Sequence, residues 1–388
     1  MALLQRSSFI TMMKLCGLMK RDANLDPALW TWTAPYTRMV ARASLLLLLL
    51  ASSFSSIVSP SDARLCEGTE HTDGRWVNFT TPPKRKSFHC CQYDSYDFMH
   101  DPVACRNPLW TEKLGFYDTQ LVTGFNEYPT FVGEHSCNCD KAQGTRDTVS
   151  QRELYYWKPT NCSLLSWNAT RFCEILGPRR MLFVGDSTQV QTFATLTNMI
   201  QSGNASCNSQ ITFGRSNLLV YGLKGGKNLH EWVQISNLPD IVVIACAAHL
   251  HDLGDMQFVL QHLAPMMQRI RDLYQEKGRS VSFAWKTSNP PHFNCTVLHE
   301  PLAEAAPLSP QDLKSDNYEW HLFPDFDAMA VNASKTLNMT ILDVTPLRLR
   351  PDAHTGVTWK SDCLHYCLPG PIDLFSQVVM QALYNREL

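Results

Sequence analysis

The sequence predicts an α/β fold, a three-layer α/β/α sandwich on a parallel sheet, with a cysteine-rich minor lobe ahead of it. Three observations predict it. From about residue 178, short apolar runs of strand length alternate with segments of helical periodicity, the pattern of βαβ units whose sheet is covered on both faces. Before that point the chain is rich in Cys, Trp, Tyr and Pro and has no long periodic stretch. Finally, 44% of the 388 residues are hydrophobic and 18% charged, enough core for one large domain or two modest ones of about 100–200 residues each.

The elements read in order as follows. Residues 181–184 (Met-Leu-Phe-Val) form a strand, and 188–200 a helix. Residues 218–221 and 241–245 read as further strands. Residues 255–276 place Met256, Val259, Leu260, Leu263, Met266, Met267, Ile270 and Leu273 at three-to-four spacing, which predicts a long amphipathic helix. Strands at 281–285 and 339–344 follow, and a helix over 371–385 closes the chain. The predicted domain runs over 176–388 and the cysteine-rich lobe over 59–175.

Residues 1–42 form a basic leader and 43–58 an apolar run containing six consecutive leucines. At about 16 residues the run is slightly short of the 20 or so that span a bilayer. Arg6, Lys14, Lys20, Arg21, Arg38 and Arg42 precede it against Asp22 and Asp26, so the N-terminus is expected on the cytosolic side. Two readings stand: an uncleaved type II signal anchor, or a cleaved signal peptide with a secreted product. Cysteine usage agrees with either. Thirteen of the 14 cysteines follow the run, which places that part of the chain in oxidising space. The pair Cys90-Cys91 and Cys137-Asn-Cys139 lack zinc spacing, so disulfides are expected, and the odd count leaves one free thiol, assigned to Cys246 in its apolar strand. Glycosylation triplets begin at Asn78, Asn161, Asn168, Asn204, Asn294, Asn332 and Asn338, all beyond the run, which predicts a lumenal glycoprotein. With 34 Lys+Arg against 36 Asp+Glu the chain shows no basic excess, so no nucleic-acid partner is expected.

The chemistry concentrates in two places. Gly185-Asp186-Ser187 follows the 181–184 strand and opens the next helix. That context sets a serine hydroxyl at the sheet's carboxyl edge, where a helix N-terminus offers free N–H groups to a developing oxyanion; the same residues also serve as ordinary N-caps. A serine nucleophile needs a base, and the base an orienting acid. Asp362-Cys-Leu-His365-Tyr-Cys367 supplies both on one turn, bracketed by cysteines that could hold it rigid. His354, beside Asp352, is a rival base without that spacing. His249 and His251 have no third ligand placed near them, so no metal site is expected. Trp285, Trp320 and Trp359 are candidates for sugar stacking, and Lys286 and Arg350 for lining a cleft.

These motifs resemble the GDSL/SGNH hydrolases, and the longer text resembles the trichome-birefringence-like polysaccharide O-acetyltransferases, also described as PC-esterase domains. The resemblance runs from about 66 to the end. It is carried by Cys66-Glu-Gly, Gly74-Arg-Trp-Val77, Tyr156-Trp-Lys-Pro159 with Cys162, and Met181-Leu-Phe-Val-Gly-Asp-Ser187. Further on it is carried by Trp285-Lys-Thr-Ser with Pro291-His292-Phe293, then Leu342-Asp-Val-Thr345 and Arg350-Pro-Asp-Ala-His354. The terminal Asp362-Cys-Leu-His-Tyr-Cys-Leu-Pro-Gly370 with Asp373 is the closest match. The resemblance implies an SGNH-like sandwich and a Golgi membrane enzyme acetylating cell-wall polysaccharide, with Ser187 as nucleophile and Asp362 and His365 as its acid–base pair. No Gly-rich phosphate cradle appears in the chain, so no bound cofactor is expected. The acetyl donor, acetyl-CoA or another acetyl carrier, would be a co-substrate, and the partners would be a glycan acceptor and a membrane transporter supplying acetyl groups.

One departure stands out. The family's oxyanion asparagine is expected after the 241–245 strand, where this chain reads Cys246-Ala-Ala-His249-Leu-His251. Gly185, Asp186, Gly214, His249 and His251 are therefore the candidates for oxyanion or substrate contact. Three functions follow: an O-acetyltransferase working through a serine acyl-enzyme, an esterase with the same triad and water as acceptor, or a glycan-binding protein whose oxyanion hole has decayed.

Overall fold

The computed structural model describes residues 64–80, 122–123, 154–220, 228–293, 295–316, 318–355 and 362–388. The basic leader, the apolar run, most of the cysteine-rich lobe, Asn294 and Trp359 lie outside the described residues. Residues Ala63–Leu388 gather into one compact unit.

Its centre is a sheet of six strands. In chain order the strands of the chain are β1 (Gly74–Asn78), β2 (Val122–Thr123), β3 (Tyr155–Pro159), β4 (Met181–Gly185), β5 (Ile211–Arg215), β6 (Ile241–Ile244), β7 (Ser282–Lys286) and β8 (Met339–Leu342). The large sheet runs β2-β5-β4-β6-β7-β8. Its last five members are parallel, and β2 pairs antiparallel with β5 at the edge. The helices are α1 (Ala169–Leu176), α2 (Ser187–Ser202), α3 (Leu229–Ile235), α4 (Leu253–Glu276), α5 (Pro310–Ser315), α6 (Phe323–Leu337) and α7 (Asp373–Tyr384).

The central strands β4 and β6 carry no polar side chain because both faces are covered, and the period of two sorts their residues into two cores. Met181 and Phe183 of β4, with Ile241 and Val243 of β6, join one cluster containing Phe193, Ile200, Phe375 and Val379 from α2 and α7. Leu182, Val184, Val242 and Ile244 join the other, with Trp232 of α3, Met256, Leu263 and Ile270 of α4, and Phe326 of α6. The result is the three-layer sandwich expected. In the α4 stripe Met256, Val259, Leu263, Met267 and Ile270 are fully buried, while Leu260 and Met266 pack only partly.

Two expectations need correcting. Residues 218–220 are an irregular stretch, not a strand, and the strand beside β4 is β5, 211–215. The apolar Leu219 and Val220 are buried all the same, capping the Trp232 cluster from a loop in which Leu219 has φ 62°. Hydrophobicity alone does not separate a buried strand from a buried loop. Second, the expected boundary near 175 passes through α1, which packs on α2 and α7. The described part of the cysteine-rich lobe is a ribbon in which β1 and β3 pair antiparallel, Trp76 opposite Trp157. Trp76 Nε1 donates to the Pro346 carbonyl at 2.9 Å, pinning the ribbon to the segment after β8.

Among the described residues, disulfides join Cys66–Cys162, Cys173–Cys207 and Cys295–Cys363, and Cys367 is disulfide-bonded as well. Among the described residues Cys246 is the free thiol, and it is buried. The six described glycosylation asparagines, Asn78, Asn161, Asn168, Asn204, Asn332 and Asn338, are all exposed.

Strand order decides where a site forms. The chain leaves β4 for β5 on one side, then crosses back to β6 on the other. Such a reversal opens a crevice between the two carboxyl ends, where the loops part. Ser187 leaves β4 at that crevice, and the 245–249 loop leaves β6.

Candidate active site

At the end of β4 the turn into α2 leaves no room for a side chain: a Cβ on Gly185 would lie 2.6 Å from the Ala245 carbonyl and 2.7 Å from Gln189 Cβ. Asp186 then caps the helix, its Oδ1 accepting from Thr188 N and Thr188 Oγ1 at 2.9 and 2.7 Å. Ser187 is the first helical residue.

Asp362 folds its own turn. Its Oδ1 accepts from Leu364 N at 3.0 Å and His365 N at 3.1 Å, the local side-chain-to-backbone pattern that aspartate favours. Oδ2 is left for the ring and meets His365 Nδ1 at 2.8 Å. The opposite nitrogen, Nε2, meets Ser187 Oγ at 2.8 Å. With Nδ1–H donating to the carboxylate, Nε2 holds the lone pair that accepts the serine proton. Asp362 and His365 side chains keep 14% and 17% exposure, so the relay sits at the wall of the crevice and is neither fully buried nor freely solvated.

The turn is fastened from several sides. Cys363 is bonded to Cys295. The His365 carbonyl accepts from Thr355 N at 3.0 Å. Gln191, one helical turn beyond Ser187, reaches across so that its Nε2 donates to Tyr366 O at 2.8 Å while its Oε1 accepts from Tyr366 N at 3.1 Å. Helix α2 thus carries the serine and also holds the residue after the histidine. Sequence reading missed Gln191; its signal was the i, i+4 spacing from Ser187, which puts both on one face.

The oxyanion candidates separate. Asp186 is fully buried, and besides its cap its Oδ2 accepts from Ala247 N and Ala248 N at 3.5 and 3.3 Å. Burial works to raise its carboxyl, but His249, the Thr188 hydroxyl and Lys286 together outweigh it and hold the group below the usual range. Asp186 is therefore a brace between the β4 and β6 loops, not a contact for substrate. Gly214 lies inside β5, paired with Val184, and a Cβ there would stand 2.4 Å from the Trp232 ring; its lack of a side chain serves packing. His251 is exposed, its backbone N donating to Asp255 Oδ2 at 2.8 Å. His249 remains. It is half-buried, and its ring makes no hydrogen bond among the described residues. Burial lowers its pKa; Asp186 pulls it back, while Arg215, His365 and His251 push it down further. A neutral imidazole beside the relay can offer one N–H to an oxyanion. Replacing it (His249→Ala) is expected to lower kcat about 10²-fold, the usual loss for one oxyanion donor, and His251→Ala to leave kcat within about twofold of the parent chain. Equal rates for parent and His249→Ala would remove His249 from the site.

The other sequence candidates fall elsewhere. His354 is buried, its Nδ1 at 3.1 Å from the His365 carbonyl, behind the relay and so not a rival base. Lys286 is buried with Nζ donating to the Thr287 carbonyl and Asn289 Oδ1; burial, partly offset by Asp186 and Asp327, lowers its pKa to about 8. Arg350 is buried too, paired with Asp352 at 2.8 Å and lying over the Trp76 and Tyr155 rings. Neither lines the crevice. Trp285 is core, and Trp320 packs on Phe293 and Tyr318.

A doubly wound α/β sandwich with a serine, histidine and aspartate joined in series at its switch point defines an α/β protein of the serine-hydrolase type. Comparison narrows the class. Residues 229–382 match the family model described as PC-Esterase, the GDSL/SGNH-like acyl-esterase family found in Pmr5 and Cas1p. Xyloglucan O-acetyltransferase 4 of Populus trichocarpa is 21% identical over 300 residues, 60% of this chain and 71% of that protein. Protein trichome birefringence-like 31 of Arabidopsis thaliana is 33% identical over 95 residues, 24% of this chain and 23% of that protein. Protein trichome birefringence-like 12 of the same plant is 20% identical over 392 residues, 80% of this chain and 88% of that protein. Among solved structures, the acetyl xylan esterase AlAXEase is 13% identical and covers 53% of this chain and 98% of its own, at a TM-score of 0.30, a likeness too slight to carry argument. Residues 229–382 are thus similar to the PC-esterase family, and longer stretches of the chain are similar to trichome birefringence-like and O-acetyltransferase proteins, which supports an enzyme acting on acetyl groups.

Proposed function

We propose that this protein is a polysaccharide O-acetyltransferase working through an acetyl-enzyme on Ser187. The observation carrying the proposal is the series Ser187–His365–Asp362, with both contacts at 2.8 Å. Ser187 Oγ attacks the acetyl carbonyl of the donor while His365 Nε2 takes its proton, and Asp362 stabilises the imidazolium so formed. The tetrahedral intermediate places its oxyanion at the α2 N-terminus, within reach of His249. It collapses as the donor's leaving group departs with the proton from His365. A glycan hydroxyl then attacks the acetyl-enzyme, gives its proton to His365, and leaves as the acetate ester while Ser187 Oγ recovers its proton. The donor, acetyl-CoA or another acetyl carrier, is a co-substrate consumed in each turn.

Relatives named for xyloglucan and xylan acetylation support a glycan acceptor. The family description, an acyl-esterase, supports the second reading, in which water takes the acetyl group. The two share every step up to the acetyl-enzyme and differ in how well water is excluded afterwards. We further propose a lumenal site in the Golgi, anchored or secreted. The basic leader before the leucine run, the disulfides and the exposed glycosylation asparagines support it.

The test is intact mass and peptide mapping of the folded, disulfide-bonded chain after exposure to an activated acetyl ester. One acetyl group on Ser187 is expected. Adding xylan or xyloglucan oligosaccharides should then discharge it onto sugar; release as free acetate at the same rate with or without sugar would favour the esterase. A folded chain that never acquires acetyl would sink both and leave glycan binding alone.

A further inference from the structure

Behind His365 lies a second pair of imidazoles that the relay does not use. His292 Nδ1 and His354 Nε2 are 2.6 Å apart. The outer nitrogens each face a backbone carbonyl: His292 Nε2 lies 2.8 Å from Arg348 O, and His354 Nδ1 lies 3.1 Å from His365 O. The backbone reinforces the arrangement, since His292 N donates to the Cys363 carbonyl at 2.9 Å.

A carbonyl oxygen only accepts, so each outer nitrogen needs an N–H. Two nitrogens 2.6 Å apart need a proton between them, because two lone pairs facing at that distance repel. Three contacts therefore take three protons, and two neutral imidazoles bring only two. With two, the half-buried inner contact, the half-buried His365 carbonyl contact or the exposed Arg348 carbonyl contact faces a lone pair at hydrogen-bond distance, an unmade polar contact that costs most at the two shielded positions.

We propose that His292 and His354 share one extra proton across their contact, and that this singly charged pair is a positioning device that holds the His365 carbonyl, and with it the ring, toward Ser187. The charges around the pair agree. Arg350 and Asp352 cancel each other in a buried ion pair. The Tyr366 hydroxyl, against both rings, donates its one proton to Pro290 O at 2.7 Å, with Leu347 O at 3.2 Å, and is kept neutral, burial raising its pKa well above the ordinary value. Asp362 presents its carboxylate to the His365 ring and also favours a proton on His354. Burial opposes it: the apolar setting, offset in part by the Arg348 carbonyl and Asp352, lowers His292 to about 4, and burial with the neighbouring His292 and His365 rings, offset in part by the His365 carbonyl and Asp362, places His354 well below its ordinary value. A proton shared by two rings is desolvated as one charge, not two, and it completes all three contacts.

The catalytic consequence rests on the acetyltransferase reading. A positive pair beside His365 disfavours its premature protonation, so the base stays active into mildly acid solution. His292→Leu removes the shared proton and is expected to move the acid limb of the kcat/KM profile upward by roughly one pH unit. His354→Leu is expected to lower kcat about 10–100-fold at unchanged KM, the usual loss when a supporting partner is removed, and His354→Asn, which keeps an N–H for the His365 carbonyl, to recover most of it. In the full chain labelled with 15N-histidine, NMR should show one far-downfield proton coupled to a ring nitrogen of each of two histidines, absent in His354→Asn. Two neutral rings at every pH, or an acid limb that stays put in a well-folded His292→Leu, would overturn the proposal. The NMR reading does not depend on turnover. If the parent chain never acetylates Ser187, the functional reading falls while the shared proton is still decided.

Discussion

Asp362→Asn is expected to lower kcat for acetyl-enzyme formation about 10⁴-fold while the chain stays folded. The expectation follows from which oxygen does what. Oδ1 builds the turn by accepting from Leu364 N and His365 N, and an asparagine carbonyl does the same. Oδ2 accepts from His365 Nδ1, and asparagine puts an amino group there. Two donors cannot face each other, so the imidazole takes the other tautomer, with its proton on Nε2 pointing at Ser187. The serine then meets a donor where it needs a base, a loss of about 10⁴ in the comparable serine-protease substitution. Ser187→Ala should go further and leave no acetyl-enzyme at all. Single-turnover mass spectrometry measures both, and an Asp362→Asn rate within tenfold of the parent would exclude Asp362 as the orienting acid.

Gln191→Leu should destabilise the fold by about 2–4 kcal/mol, because it leaves the buried Tyr366 N–H and carbonyl without partners at about 1–3 kcal/mol for each orphaned group, some of it offset by the apolar leucine. The same change should lower kcat, since Tyr366 adjoins His365 and the clamp ties their turn to the helix bearing Ser187. Gln191→Glu is an informative companion. It keeps the acceptor for Tyr366 N but faces the Tyr366 carbonyl with another oxygen, so its stability should fall between the two. Urea unfolding followed by fluorescence reads the first effect, and an unchanged midpoint for Gln191→Leu would show that the clamp contributes nothing.

Much of the site was legible because its chemistry is local. Ser187 follows a strand and opens a helix, and Asp362 and His365 share one turn that the aspartate itself folds, so a few neighbouring letters specify each half. Strands β4, β6, β7 and β8 were legible for a related reason, since burial on both faces makes them wholly or mostly apolar, whereas β5, with Thr212 and Arg215, was not. The same reasoning failed at 218–221, where a buried loop has the composition of a strand. It also failed for α6, whose apolar positions are interrupted by exposed Val331 and by the buried Ser334.

The sequence by itself determined the three-layer α/β class, the serine, the Asp-x-x-His turn, the disulfide-bonded character and the free thiol at Cys246. Each of these depends on residue type and short-range spacing, which a chain carries before it folds. Only the tertiary structure decided which distant residues meet. It brought Ser187 to His365 across 178 positions and turned Asp186 inward as a brace for the β6 loop. It left His249, not His251, beside the relay, and it set His292 against His354. Those outcomes depend on strand order and on the reversal between β4 and β6, and no local pattern of residues encodes which loops a sheet brings to the same edge.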